Sequence, residues 1–380
     1  MIYLDYNGST PVDPQVADLV ADVATKFANP SSIQHRAGQE AAETIEEARH
    51  RIAVFVSAAQ RDIVLTSGAS EASAIAIIGA ALGAPQRPNV VVSPTEHKAV
   101  LAAADTAARL SGGELRVGRV GSDGVVDVDH LRSIVDDSVC VVAAMAANNE
   151  TGVINPISEI GELVRAAGAV YFCDATQLAG KGDLTPVTEE ADLMVLSSHK
   201  IYGPKGAGAL VADRHVQKRL VPIFAGGGQE RGLRGGTPNT PAIAGFGLAA
   251  ETAAKEWRFD EARLSTVMGT LWQALTEDVE GVNLNGADTP RLGNTLNVRF
   301  DGVDSEALMA SMPNVAVSSG SACQAAVTTQ SHVLTSMGLT ERQAGESIRI
   351  SAGRPTTSKE VEQARREIVS AVRRVRQFDA

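Results

Sequence analysis

The segment 197–206 carries two serines, a histidine and a lysine, and it continues into a glycine-containing turn. It follows an apolar run, 192–196, that predicts a buried strand, so Lys200 is expected near the protein interior. Partial burial disfavours the ammonium form of a lysine, and the neutral amine is the form that condenses with a carbonyl. Taken alone, Lys200 is also consistent with a surface lysine in a loop.

A second segment has the pattern of an anion site. The apolar run 62–65 leads into the small, polar turn 66–71, and a helix is predicted from Ala72. A strand, a short turn and a helix start present free backbone N–H groups and the positive end of the helix dipole, which suits phosphate. The alternative is an ordinary helix start capped by Ser67 or Ser70.

Polar side chains recur at the C-terminal ends of the predicted strands. In open α/β sheets, ligands bind outside the carboxyl ends of the strands. Five separate strand ends with such residues are more than loop polarity explains, so they predict one shared ligand site. The residues are Ser70, His97, Asn149, Asp174 with Gln177, and His199 with Lys200.

The three cysteines divide into two kinds. Cys140 and Cys173 lie inside predicted strands, where a cysteine is expected to be a buried structural residue. Cys323 follows the predicted strand 315–317 and lies in a run of small and polar residues that reaches Gln330. An accessible cysteine in such a loop is a candidate nucleophile.

These groups together suggest pyridoxal 5'-phosphate. That cofactor needs an amine to bind its aldehyde, an acid to keep its ring nitrogen protonated, and an anion site for its phosphate. Lys200, Asp174 and the helix start after 66–71 have the required chemistry. Cys323 would add an acceptor for sulfur.

The elements that position these residues predict an α/β fold. Continuous apolar strands alternate with helices between residues 62 and 211, which is typical of a mostly parallel sheet covered on both faces. A long helix is predicted over about 240–278, and the remainder, 279–380, has an α+β pattern. Near the N-terminus, Asp13 and Pro14 predict a helix whose apolar stripe runs from Val16 to Phe27.

Composition and charge exclude several classes of protein. The chain has 380 residues, is 44% hydrophobic and carries a net charge of −11, which argues against direct binding to nucleic acid. Three cysteines without a CxxC pair make a disulfide framework or a zinc site unexpected. The longest apolar stretch, 74–84, is too short for a bilayer, and no signal peptide is visible, so we expect a soluble, cytoplasmic protein without a membrane partner.

The sequence resembles the cysteine desulfurases of the NifS/IscS kind, which are fold type I pyridoxal phosphate enzymes. The resemblance covers almost the whole chain, and the SSGSAC motif with its long following loop resembles group I. The motifs that carry it are YLDYNGSTPVDP at 3–14, NPSS at 29–32, TSGASE at 66–71, TEHKAV at 95–100, NNETG at 148–152, DATQ at 174–177, SSHKIYGPKG at 197–206, GGGQERGLRGGT at 226–237, SSGSAC at 318–323 and SIRISAGR at 347–354.

The resemblance implies an aminotransferase-like fold with two domains. The large, cofactor-binding domain would span 14–250 around a mostly parallel seven-stranded sheet flanked by helices. The smaller α+β domain would combine 1–13 with 251–380 and would carry the Cys323 loop. The resemblance also implies a homodimer.

The resemblance further implies how the cofactor is held. Lys200 would bind it as a Schiff base and later move the substrate Cα proton, Asp174 would pair with the pyridine nitrogen, and His97 would stack on the ring. The other implied cofactor contacts are Asn149 and Gln177 at the ring-side hydroxyl, Ala69, and, at the phosphate, Ser70, Ser197, His199 and Thr237 of the other subunit.

The implied reaction converts L-cysteine to L-alanine. Arg349 would bind the substrate carboxylate, with Asn149 helping to position the substrate, and Cys323 would take the sulfur as a persulfide for transfer to an acceptor protein. The acceptor pathways that we consider are iron–sulfur assembly, thiolation and DNA phosphorothioation. The ending at Ala380, without an acidic aromatic tail, and the YNGSTP start favour the last of these.

Two alternatives stay open. One is another fold type I activity, such as selenocysteine lyase or an aminotransferase, and Cys323 is the residue that separates it from a desulfurase. The other is a non-catalytic scaffold subunit, which would lack a borohydride-trappable adduct at Lys200.

Overall fold

The computed structural model describes residues 1–319 and 330–378. Cys323 lies outside the described residues. The strands are β1 (Ile2–Tyr3), β2 (Ile63–Thr66), β3 (Asn89–Val92), β4 (Leu115–Val117), β5 (Val139–Ala143), β6 (Val170–Asp174), β7 (Leu193–Ser197), β8 (Gly208–Ala212), β9 (Val282–Leu284), β10 (Thr295–Phe300), β11 (Val315–Ala316) and β12 (Ser347–Ser351). The helices are α1 (Pro14–Ala24), α2 (Arg36–Phe55), α3 (Ala69–Leu82), α4 (Lys98–Ser111), α5 (Val128–Ile134), α6 (Ile157–Ala166), α7 (Thr185–Glu190), α8 (Arg214–Gln217), α9 (Thr240–Asp278), α10 (Ser305–Ala310), α11 (His332–Ser336), α12 (Glu341–Gly345) and α13 (Ser358–Phe378).

The central sheet has seven strands in the order β2-β8-β7-β6-β5-β3-β4. Strands β3 to β7 pair in parallel, and β8 runs antiparallel to both of its neighbours. The predicted α/β class and mostly parallel sheet are confirmed. The parallel strands all end at the same edge, so the polar residues that follow them are brought together there.

Apolar cores lie on both faces of this sheet and in the C-terminal part of the chain. The C-terminal core also contains Ile2 and Leu4, because β1 pairs in parallel with β11. Helix α9 is continuous from Thr240 to Asp278 and contributes its first half to a core of the sheet and its second half to the C-terminal core. A boundary at residue 250 would fall inside this helix, and the domain limits stay a prediction.

Two helix bounds differ from the expectations. Helix α1 ends at Ala24, where the Thr25 hydroxyl donates to the Asp22 carbonyl, and Phe27 lies beyond the helix with 96% of its surface exposed. The apolar stripe therefore does not include Phe27. Helix α3 begins at Ala69 rather than Ala72, after Gly68.

The described residues contain no helix long and apolar enough to cross a membrane. Within 1–319 and 330–378, no group of three or more His, Cys, Asp or Glu residues is arranged to hold a metal ion.

Two glycines of α9 give a matched test of the packing. A Cβ at Gly247 would lie 2.5 Å from the Ala48 Cα on α2, whereas a Cβ at Gly269 would meet nothing within 4 Å. We expect Gly247→Ala to lower the free energy of unfolding by about 1–3 kcal/mol, because the helices would have to separate. Gly269→Ala should raise it by roughly 0.5–1 kcal/mol through helix propensity. Urea denaturation measures both, and equal effects would contradict the close contact.

Candidate active site

A cavity of about 550 Å³ lies at the carboxyl edge of the central sheet. Its wall contains ten of the predicted site residues, which are Ala69, Ser70, His97, Asn149, Asp174, Gln177, Ser197, His199, Lys200 and Arg349. Thr237 lies instead on a neighbouring cavity of about 150 Å³, together with Ser67 and Gly206. Within one chain the structure therefore does not bring Thr237 into the same cavity as the others.

Lys200 is half-buried at the end of β7, in the single helical turn that follows the strand. Its Nζ donates to the carbonyl oxygens of Asn7 at 2.5 Å and Gly8 at 2.7 Å. The alternative of a surface lysine in a loop is wrong for this residue. The N-terminal segment provides part of the site wall, and the sequence patterns did not predict that contact.

Arg349 lies on β12 with 5% of its surface exposed. Its Nη1 donates to the Asn149 carbonyl at 3.0 Å, and its Nη2 donates to the Asp5 carboxylate at 2.6 Å. Its Nε is buried and has no hydrogen-bond partner among residues 1–319 and 330–378. A buried donor without an acceptor is costly, so the Nε edge of Arg349 is suited to an incoming carboxylate.

Asp5 and Asn7 are site residues that the sequence analysis missed. The Asn7 amide nitrogen donates to the Asn149 carbonyl at 3.2 Å, and the Asn7 carbonyl accepts from Gln177 Nε2 at 3.0 Å. Both residues lie inside the motif at 3–14, so the motif was a signal, but nothing in it indicated contact with Arg349.

Gln177 is held from two sides. Its Nε2 donates to the Asn7 carbonyl, and its Oε1 accepts from Lys181 Nζ at 2.8 Å. Burial, together with the positive charges of Lys200 and Arg349, lowers the pKa of Lys181 to about 7. These two contacts determine which way the Gln177 amide faces, and no sequence pattern pointed to Lys181.

Asp174 ends β6 and is 8% exposed, and its Oδ1 accepts from the Thr176 N–H at 2.9 Å. A second carboxyl, Glu96, is completely buried and accepts a hydrogen bond from the Met145 N–H. Burial raises the pKa of Glu96 well above its usual value, and the charge of Asp174 adds to the effect. The buried position therefore favours the neutral form of Glu96.

His97 is the N-cap of α4, and its Nδ1 accepts from the Ala99 N–H at 3.1 Å. Burial lowers the pKa of His97, although the charge of Asp174 opposes this effect. An imidazole that accepts at Nδ1 carries its proton on Nε2 when it is neutral. His97 is thus a neutral donor at the cavity wall.

The start of α3 lies at the cavity with Gly68 as its N-cap, and no side chain in the described part of the chain caps it. The alternative of an ordinary cap by Ser67 or Ser70 is therefore wrong. The first N–H groups of the 14-residue helix are available to an anion at the Ala69 and Ser70 end. This geometry agrees with the pattern of a phosphate site.

The Nδ1 atom of His199 lies 3.2 Å from the hydroxyl oxygen of Ser9. Burial, together with the charges of Lys200, Lys205 and Lys181, lowers the pKa of His199 to about 4. The ring is neutral at pH 7, and with Ser9 donating to Nδ1 its Nε2–H is available to an anion.

This pKa gives a pH-dependent stability. An unfolded histidine titrates near about 6.5, so between about pH 6.5 and 4 the unfolded chain binds the additional proton. Stability therefore falls as the pH falls through this window, by up to about 1–2 kcal/mol for this residue, because solvent screens the partly exposed ring. His199→Asn keeps a partner for Ser9 and should lessen the loss between pH 7 and 4.5, measured by chemical denaturation. The exposed His215→Asn is the control, and equal slopes for both variants would contradict the assignment.

The chain matches the family model of class-V aminotransferases over residues 2–364. A cysteine desulfurase of Frankia sp. (strain EuIK1) is 44% identical over 99% of this chain and 92% of its own length. The chain belongs to the cysteine desulfurases of the class-V aminotransferase family. A cysteine desulfurase IscS of Anaeromyxobacter sp. (strain Fw109-5) is 42% identical over 99% of the chain and 94% of its own length.

Solved structures agree with this family. A NifS-like protein superposes with a TM-score of 0.90 and 30% identity, covering 98% of this chain and 99% of its own. DndA from Streptomyces lividans superposes with a TM-score of 0.78 and 33% identity, covering 90% and 97%. Cysteine desulfurases of this family are enzymes and depend in general on pyridoxal phosphate, so the resemblance stated from the motifs is confirmed.

Proposed function

We propose that this chain converts L-cysteine to L-alanine and takes the sulfur as a persulfide on Cys323. The observation that carries the proposal is the cavity in which Lys200, Asp174 and Arg349 meet. A half-buried amine, a buried carboxylate and a guanidinium with an unpartnered Nε are the groups that an amino acid and an aldehyde cofactor require.

The proposed cofactor is pyridoxal 5'-phosphate, and the cavity fits it. The uncapped start of α3 with Ala69 and Ser70, together with Ser197 and the His199 Nε2–H, would hold the phosphate. Asp174 would hold the ring nitrogen, His97 would lie against the ring, and Asn149 and Gln177 would contact its hydroxyl. When bound, the cofactor draws electrons from the substrate α-carbon and so weakens the bonds around it. Thr237 would reach the phosphate of a second subunit in the proposed homodimer.

Arg349 would bind the substrate carboxylate through its Nε edge. Asp5 and the Asn149 carbonyl hold the other two nitrogens, so the guanidinium is kept in one orientation before the substrate arrives. Lys200 would remove the α-proton, and His97 would donate a proton from Nε2.

Cys323 would take the sulfur as follows. Its thiolate attacks the substrate sulfur, an S–S bond forms, and the bond between that sulfur and the β-carbon breaks. The electron pair of the broken bond stays on the carbon skeleton, which takes up a proton and leaves as alanine. L-cysteine and an enzyme thiol thus become L-alanine and an enzyme persulfide, without an external oxidant.

The test supplies the cofactor-loaded protein with L-cysteine and with cysteamine, which lacks the carboxylate. We expect one alanine for each persulfide in the first turnover, with the persulfide on the peptide that contains Cys323. Cysteamine should react far more slowly because it cannot bind Arg349. Alanine without persulfide would favour another fold type I activity, and equal turnover of both compounds would overturn the role of Arg349.

The sulfur acceptor stays a prediction. The IscS relative fits iron–sulfur assembly, and the likeness to DndA fits DNA phosphorothioation through partner proteins. Capture of partners by the persulfidated protein in its native host separates these pathways, because recovery of an iron–sulfur scaffold alone would exclude DNA modification. The cytoplasmic location also stays a prediction.

A further inference from the structure

Two buried glutamates hold the chain at the point that follows residues 320–329. The Ser331 hydroxyl donates to the Glu150 carboxyl at 2.5 Å, and both residues are buried. His332 Nε2 lies 2.9 Å from the backbone carbonyl oxygen of Glu96. Two contacts with the edge of the active site therefore position the first residues after the segment that carries Cys323.

Burial of the Glu150 carboxyl costs free energy of folding. Glu150 is 3% exposed, and burial, opposed by the hydrogen bond from Ser331, raises its pKa to about 7. An apolar side chain of similar size would fill the space without the cost of burying a carboxyl. Residues that break such a rule occur preferentially at functional sites.

Glu150 also belongs to the turn that contacts Arg349. The neighbouring Asn149 carbonyl accepts from Arg349 Nη1 at 3.0 Å, and the Glu150 carbonyl accepts from Asn297 Nδ2 at 3.2 Å. Asn148 fixes the turn, since its side-chain oxygen accepts from the Glu150 N–H at 2.8 Å. One short, hydrogen-bonded turn thus joins the guanidinium of the proposed substrate site to Ser331.

The Ser331 hydroxyl makes two separate hydrogen bonds. It accepts from the Leu334 N–H at 3.1 Å and so caps α11, and it donates its own proton to Glu150. Replacing Glu150 therefore removes the contact with the turn and leaves the cap in place. This separation makes Glu150 the better residue to test.

We propose that Glu150 is a positioning residue for sulfur transfer, which acts through Ser331 to hold the first described residues after 320–329 in place relative to Arg349. The inference rests on the proposed function, because it takes Cys323 to be the sulfur acceptor. Glu150 itself touches no reacting atom.

The test compares Glu150→Met, which keeps the size but has no strong acceptor, with Glu150→Gln, which keeps an oxygen for Ser331. Both are studied as cofactor-loaded proteins in a single turnover with L-cysteine. We expect Glu150→Met to slow persulfide formation by about 10-fold or more, because displacement of a reacting group by about 1 Å can cost 10²-fold. The L-cysteine concentration that half-saturates the absorbance change of the bound cofactor should stay within about twofold of that for the unaltered protein. Glu150→Gln should restore the rate of persulfide formation.

Hydrogen exchange gives a readout apart from activity. Amides of α11 should exchange faster in Glu150→Met than in Glu150→Gln, because Ser331 loses a partner only in the former. If Glu150→Met does not fold, Ser331→Ala, which also removes the cap of α11, is compared with Ser331→Thr, which keeps a hydroxyl for both contacts.

The possible outcomes are distinct. Equal persulfide rates for the Met and Gln variants would overturn the inference, as would a loss of L-cysteine binding in step with the rate. Faster hydrogen exchange in α11 at an unchanged rate of persulfide formation would show that the Glu150–Ser331 contact is only structural, and it would also overturn the inference. If the unaltered protein forms no persulfide on Cys323, the proposed function itself fails. This result needs no variant, so it is distinguishable from a failure of the inference about Glu150.

Discussion

Lys200→Ala is expected to abolish the conversion of L-cysteine to L-alanine, with a loss of about 10³-fold or more, because proton transfer by one positioned side chain alone contributes about 10²–10⁴-fold. The variant would also lose the amine that binds the cofactor aldehyde. The measurement is alanine release from cofactor-loaded protein, together with borohydride reduction and mass spectrometry of the peptide that contains Lys200.

Lys200→Arg is the matched control. In the structure the lysine also donates to the carbonyls of Asn7 and Gly8, which is a structural contact between the N-terminal segment and β7. An arginine keeps a cationic donor for these carbonyls but forms no Schiff base. We expect the Arg variant to retain more stability than the Ala variant and to be equally inactive. An active Arg variant without an adduct would show that Lys200 is structural and would overturn its proposed role.

Cys323→Ala is expected to reduce persulfide formation and stoichiometric alanine release to below about 1% of the unaltered protein, since the other two cysteines, Cys140 and Cys173, are buried inside strands. L-cysteine should still bind, because Arg349 is unchanged. Mass spectrometry of the protein after one turnover measures the persulfide, and absorbance measures binding.

Cys140→Ala is the control for this experiment. Cys140 is 3% exposed on β5, where burial raises its pKa to about 11 and its thiol donates to the Asn89 carbonyl at 3.2 Å. Such a thiol is inert at neutral pH. The Cys140 variant should therefore form persulfide at an unchanged rate, and persulfide formation by Cys323→Ala would contradict the proposed acceptor.

Much of the architecture follows from local pattern. The apolar runs 62–65 and 192–196 predicted β2 and β7 to within one residue at each end. The sequence Thr357-x-x-Glu360 forms a capping box at the start of α13: the Thr357 N–H donates to the Glu360 carboxylate, and the Glu360 N–H donates to the Thr357 hydroxyl. Cys140 and Cys173 are buried as predicted, since both lie inside strands of the sheet.

Some local elements were not anticipated. Helices α7, α10, α11 and α12 have five or six residues each, which is too short for a helical period to stand out in the sequence. The start of α3 was placed three residues late because the first helical residues, Ala69 to Glu71, resemble a turn in composition.

The sequence by itself determined the sheet, its polar carboxyl edge, the candidate lysine, aspartate and histidines, and the family. Only the tertiary structure decided how these groups are held. Arg349 pairs with Asp5 across 344 positions, Lys200 meets Asn7 across 193, and Ser331 meets Glu150 across 181. Contacts at such separations depend on how strands and segments pack, so no periodicity or spacing in the sequence predicts them.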